Sequence, residues 1–86
     1  MNIYKISQDD NQDYDTFDSA VVCAEDEEEA RDMDPAGYGY VDWVAVAKLV
    51  GSTDWTKDRA KVNVELIGTC TEGLERGVIC ASYNAG

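Results

Sequence analysis

Apolar and polar positions alternate with a two-residue period at both ends of the chain. In "NIYKIS" (2–7), Ile3 and Lys5 alternate with Tyr4 and Ile6, the pattern of a half-buried strand. In "KVNVELIG" (61–68), Val62, Val64 and Leu66 fall on one face and Asn63, Glu65 and Ile67 on the other. "SAVVCA" (19–24) is a short apolar run whose β-branched Val21-Val22 pair favours a strand, and "GVICASY" (77–83) reads as a last one. The Asp- and Asn-rich "QDDNQDYDTFD" (8–18) is turn chemistry, so the first two strands form an antiparallel hairpin with a long polar tip. The last two strands are separated only by "TCTEGLER" (69–76), and their closeness predicts a second antiparallel pair. "VAVAKLV" (44–50) fits either period. The turn residues after it, Gly51 to Asp54, favour a strand.

One segment has a helix start. Asp26 is a good N-cap, and Glu29 stands three residues on, as in a capping box. Glu27, Glu28 and Glu29 occupy the first turn, where negative charge meets the positive end of the helix dipole. Ala30 and Met33 can face a sheet, and Pro35 ends the helix near Asp34. Two turns do not hold alone in water, so this helix must dock on neighbours. The pattern predicts one α+β domain over 1–86: an antiparallel sheet of four to five strands with one short helix packed on it.

Charge changes this picture. The net charge is −11. Residues 1–42 carry 13 carboxylates against Lys5 and Arg31, and residues 43–86 carry five acids and five bases, so the imbalance lies entirely in the first half. Apart from Asp42, its acids form two segments: Asp9, Asp10, Asp13, Asp15 and Asp18 in the polar loop, and Glu25, Asp26, Glu27, Glu28, Glu29, Asp32 and Asp34 around the helix. Such a field repels nucleic acid and membrane surfaces and attracts basic proteins. The two segments sit at opposite ends of the "SAVVCA" strand, and a shared surface requires the loop to fold back.

The stretches "NIYKISQDDNQDYDTFDSAVVCAEDEEEAR" and "VNVELIG…GVICASYNAG" resemble a group of small bacteriophage and prophage proteins, in the opening strand, the "EEEAR" end of the acidic segment, the "LIG" strand and the ending "GVI-AS-NAG". The resemblance covers about two-thirds of the chain and fails over 36–56. It implies a phage accessory protein working in the bacterial cytoplasm and brings no catalytic residues with it. In size and charge the chain is similar to anti-CRISPR and anti-restriction inhibitors, many of which imitate DNA. By that analogy the two acidic segments are the partner-binding residues, and the partner is a basic nucleic-acid-binding protein of the host. Duplex DNA carries one negative charge per ~1.7 Å of axis, and carboxylate rows can occupy the same basic channel.

Other chemistries fare worse. The chain has no His, and no serine or cysteine stands in a recognisable relation to a base, so an enzyme is not expected. "DDNQDYDTFDSA" places Asp9, Asn11, Asp13 and Asp15 at ligand positions of a calcium loop, but Tyr14 and Ala20 stand where Gly and Glu are needed. No metal or other cofactor is expected. Lys57, Arg59 and Lys61 alternate near Trp55, but direct nucleic-acid binding is opposed by the acids, and these bases are expected to offset the molecule's own carboxylates or to lie at a dimer contact. Cys23, Cys70 and Cys80 are odd in number and unaccompanied by an export signal, so they read as free thiols, with Cys23 and Cys80 as small core hydrophobes. The aromatics Tyr14, Phe17, Tyr38, Tyr40 and Trp43 are expected to be mostly core. The alternative to the inhibitor is a phage accessory or structural protein, acidic for solubility, working through a β-edge or homodimer interface.

Overall fold

The computed structural model describes residues 1–12, 14–51 and 53–84. Alternation in "NIYKIS" produces β1, Asn2–Ser7, and the apolar run after the acidic loop produces β2, Thr16–Ala24. They pair antiparallel as a hairpin, with Tyr4 opposite Val22 and Ile6 opposite Ala20. β3, Asn63–Thr69, and β4, Gly77–Asn84, complete an antiparallel sheet of order β3-β1-β2-β4. The fold is therefore α+β, with short helices packed on a four-stranded sheet.

β3 and β4 occupy opposite edges and do not pair with each other, contrary to the expectation from their closeness in sequence. β3 pairs with β1 through one register irregularity, at Ile3/Tyr4, and β4 with β2 through two, at Phe17/Ser19 and Val21/Val22. Their seven-residue connection, 70–76, extends to about 23 Å, enough to pass across the end of two central strands spaced about 4.8 Å apart. The most apolar inward faces, on β1 and β2, take the centre.

One hydrophobic cluster defines one covered face. Tyr4, Ile6, Ala20, Val22 and Ala24 from the sheet meet Ala30 and Met33 of the helical segment, together with Trp55 and Val62. The first helix, α1, runs Glu27–Asp32, with Asp26 accepting from the Glu29 amide at 2.8 Å. Met33 closes it two residues before Pro35, as the sequence predicts. A second helix, α2, spans Trp43–Ala47, where the turn residues after "VAVAKLV" favour a strand. Asp42 caps it by accepting from the Ala45 amide at 3.1 Å, and Trp43 packs against the core. The chemistry of the cap outweighs the β-branched residues there. Arg59–Lys61 form a 3-10 turn, and the strand expected from Lys61 begins at Asn63.

Cysteine placement also departs from expectation. Cys23 is fully buried but bonded to Cys70, 47 residues away, and Cys80 is free and exposed. β1 pairs with both β2 and β3, so Cys23 lies opposite Ile3, and Cys70 follows two residues after Gly68, the β3 residue opposite Ile3. Cys80 sits on an edge strand beside Val21, whose face no helix covers. Tyr14, Tyr38 and Tyr40 are exposed rather than core, while Phe17 and Trp43 do pack on the cluster. Among the described residues no helix is long and apolar enough to cross a membrane.

Candidate functional site

The loop bearing the first acidic segment is held by its own amides. Gln8, nearly buried, donates to the carbonyls of Asn11 at 2.7 Å and Phe17 at 3.0 Å, and accepts from the Asn11 amide at 2.7 Å. Asp15 adopts a positive φ of 62°, which Asp tolerates better than most residues, and its carboxylate accepts from the Tyr83 hydroxyl at 3.3 Å. The Tyr83 ring packs against Phe17, with centroids 4.8 Å apart.

A strap, residues 53–62, joins this loop to α1. At one end Asn11 donates to the Thr53 carbonyl at 2.6 Å, the Thr56 hydroxyl donates to Asp10 at 2.8 Å, and the Phe17 amide donates to the Asp54 carbonyl at 2.8 Å. At the other end Arg59 binds Glu28 at 2.5 Å and Asp32 at 2.6 Å, and the Arg31 guanidinium donates to the Val62 carbonyl. Trp55 and Val62 of the strap lie in the same cluster as Ala30 and Met33. Both acidic segments are therefore tied to one strap over one face of the sheet. β2 between them rises by about 26 Å over nine residues.

The acids around α1 are largely clamped by the molecule's own arginines. Arg76 meets Glu29 at 3.0 Å and Glu25 at 3.2 Å, and Glu29 also accepts from the Glu25 amide at 2.7 Å and the Tyr40 hydroxyl at 2.9 Å. Burial raises the Glu29 pKa, but these bonds and the Arg76 charge outweigh it, and the net shift is downward. Asp32 follows the same logic: burial opposes ionisation, while Arg59, the Trp43 indole at 2.8 Å and the charge of Arg31 hold the carboxyl below its usual range. Arg59, read as an offset to the molecule's own acids, does that. Lys57 instead donates to the Leu49 carbonyl at 2.8 Å, and Trp55 is 3% exposed and presents no stacking platform.

Of the sequence-predicted site residues, Glu25, Glu28, Glu29 and Asp32 are ion-paired. Asp26 and Asp34 cap local backbone, Asp34 through the Ala36 amide at 2.9 Å. Asp10 and Asp15 bind hydroxyls. Asp9, Asp18 and Glu27 are exposed and have no side-chain partner among the described residues. Asp13 lies outside the described residues.

Sequence reasoning missed a cleft of about 120 Å³ beneath α2, lined by Asp34, Asp42 and Asp54 together with Val46, Trp55 and Thr56. None of its three carboxylates forms an ion pair among the described residues. Partial burial, then the neighbouring Asp34, push the Asp54 pKa up. Asp42 and Asp54 stand 12 residues apart across a helix and a turn, and only the folded strap brings them together. Among the described residues no cluster of acidic or sulfur side chains is grouped to hold a metal ion. No family model, curated protein or solved structure matches the chain.

Proposed function

We propose that the chain is a phage-encoded inhibitor of a bacterial defence system, of the anti-CRISPR kind, acting in the host cytoplasm without catalysis. It holds a basic nucleic-acid-binding surface of the host protein with its acidic layer, in place of DNA. The observation that carries this reading is the strap: residues 53–62 tie the 9–18 loop and α1 over the same sheet face. Preorganisation adds support. The carboxylates of Glu28, Glu29 and Asp32 are fixed by two arginines, so little side-chain freedom is lost on binding. The seven acids around α1 still exceed Arg31, Arg59 and Arg76 by four charges, and the loop's five acids exceed them further. Expressed in a bacterium that clears phage by CRISPR interference or restriction, the wild-type chain should restore plating. A folded Asp9→Asn/Asp18→Asn/Glu27→Gln variant should not. Equal rescue by both would remove the acidic-layer mechanism.

A second reading has its own observation. The sheet exposes apolar residues along both edge strands: Leu66 and Ile67 on β3, Ile79 on β4. Uncovered apolar edges invite strand pairing, so an accessory protein working as a homodimer would use them. Light scattering across a range of concentrations distinguishes a dimer from a monomer.

A further inference from the structure

We infer that Cys23, Cys70 and Cys80 form one thiol–disulfide exchange centre, in which Cys80 attacks the Cys23–Cys70 bridge and converts it to Cys23–Cys80. The inference rests on the sheet register and not on the acidic layer. The chain's three cysteines are one bridge and one exposed thiol. Cys80 of β4 stands opposite Val21 of β2, and Cys23 follows two residues after Val21 on the same strand. Side chains alternate along a strand, and Val22 belongs to the core cluster. Val21, Cys23 and Cys80 therefore share the sheet face that no helix covers.

Diagonal neighbours on one face of an antiparallel pair lie about 7–8 Å apart. A disulfide needs its Cα atoms within roughly 7 Å, so a small shift of β4 brings Cys80 into range. β4 can give that shift: it is an edge strand, and one of its two register irregularities falls at Val21/Val22, beside Cys80. The β4 residue opposite Cys23 is Gly77, and the space a side chain would fill there is open. Cys23 itself is fully buried, which keeps thiols in solution away from it but not a thiol on the next strand. Cys70 belongs to the far side of β2, with β1 and β3, so the attack falls on Cys23. Cys80 gives its proton to water, and the thiolate forms a bond to Cys23 Sγ. The Cys23–Cys70 bond breaks, its electron pair stays on Cys70, and Cys70 takes up a proton. No oxidant or reductant is consumed. Cys80 lies only ten residues beyond Cys70, and closure entropy follows the logarithm of loop length, so it changes little. The tie leaves the β3 edge, on which α1 packs, and staples β2 to β4. The cytoplasm proposed above keeps most thiols reduced, and bridges found there are commonly transient or redox-sensing. An internal attacking thiol suits that behaviour.

The test uses the intact oxidised chain, held without added thiol at alkaline pH, where more thiolate is present. Samples are quenched in acid, and free thiols are blocked with N-ethylmaleimide at mildly acidic pH. Trypsin cleavage after Arg31, Lys61 and Arg76 puts the three cysteines in three separate peptides for mass spectrometry. At the start the label should sit on Cys80 alone. With time it should appear on Cys70, matched by a linked Cys23–Cys80 pair, at a rate unchanged over an about tenfold range of protein concentration. Cys80→Ser should keep its bridge and take no label. A second measurement uses Cys70→Ala, which has no bridge while held in reductant. Moved into oxidised glutathione, it should close Cys23–Cys80 within the monomer, as reduced Cys80→Ser closes Cys23–Cys70. Label that stays on Cys80, label that moves to Cys23 instead, or a rate that rises with protein concentration would each overturn the centre. So would a Cys70→Ala chain that fails to close under conditions in which Cys80→Ser does.

Discussion

Reducing the Cys23–Cys70 bridge should cost the fold a large share of its stability. The bridge closes a loop with a sequence separation of 47 residues. In the chain-entropy treatment a loop of this length removes about 14 cal/mol/K from the unfolded ensemble, or ~4 kcal/mol at 25 °C. A domain of this size holds only roughly 4–13 kcal/mol in total. The bridge also joins β2 to the end of β3 across β1, so it restrains the edge strand against which α1 packs. The assay is urea unfolding followed by circular dichroism, with and without reductant, and with Cys70→Ala as the genetic equivalent. With a slope near ~1 kcal/mol/M, the midpoint should fall by about 4 M. Before reduction, thiol titration of the native protein should count one accessible group, Cys80. Coincident unfolding curves, with the bridge verified by mass spectrometry in the oxidised sample, would refute the reasoning.

Other predictions concern the acids. Asp26→Ala removes the N-cap of α1 and should destabilise by about 1 kcal/mol, read as a shift in urea midpoint. Glu29→Gln should destabilise at neutral pH by a similar ~1 kcal/mol. Because the Glu29 pKa is lowered in the folded state, its contribution is present above the ordinary Glu range and is lost as pH falls through the folded value, so wild type and variant should converge in acid. Asp54 has the opposite sign: its folded pKa is raised, so its charged form costs stability once pH exceeds the unfolded value. Asp54→Asn should therefore melt slightly higher than wild type at pH 7 and equally in acid, as scanning calorimetry can record; Asp54 is exposed, so the gain is small.

The local parts of this fold are legible in the sequence because their causes are local. Period-two alternation gives β1 its bounds, and Asp26, Glu29 and Pro35 give α1 both of its ends. Asp42 is a cap of the same chemical kind, but "VAVAKLV" satisfies both periods, so the helix there needed the Asp42–Ala45 bond to be seen. What the sequence hid is non-local. The sheet order, the Cys23–Cys70 bridge and the strap all depend on residues roughly 30 to 70 positions apart, and no spacing rule reports them. The acidic segments are conspicuous in composition, yet their pairing with Arg59 and Arg76 is not. Those two bases belong to the half of the chain with no charge imbalance. The cleft under α2 was equally hidden, because Trp55 reads as one more apolar residue until its indole is found buried and unpartnered.

The central claim is that one acidic layer, held together by the strap, replaces nucleic acid on a basic protein surface. The most direct measurement is competition on a purified defence complex. The chain is titrated against labelled target DNA at several salt concentrations, with wild type beside Asp9→Asn/Asp18→Asn/Glu27→Gln. The account predicts that wild type displaces DNA with an affinity that falls steeply as salt rises, and that the variant, equally stable, binds more weakly and with a shallower salt slope. Displacement that is indifferent to salt and unchanged in the variant would contradict it.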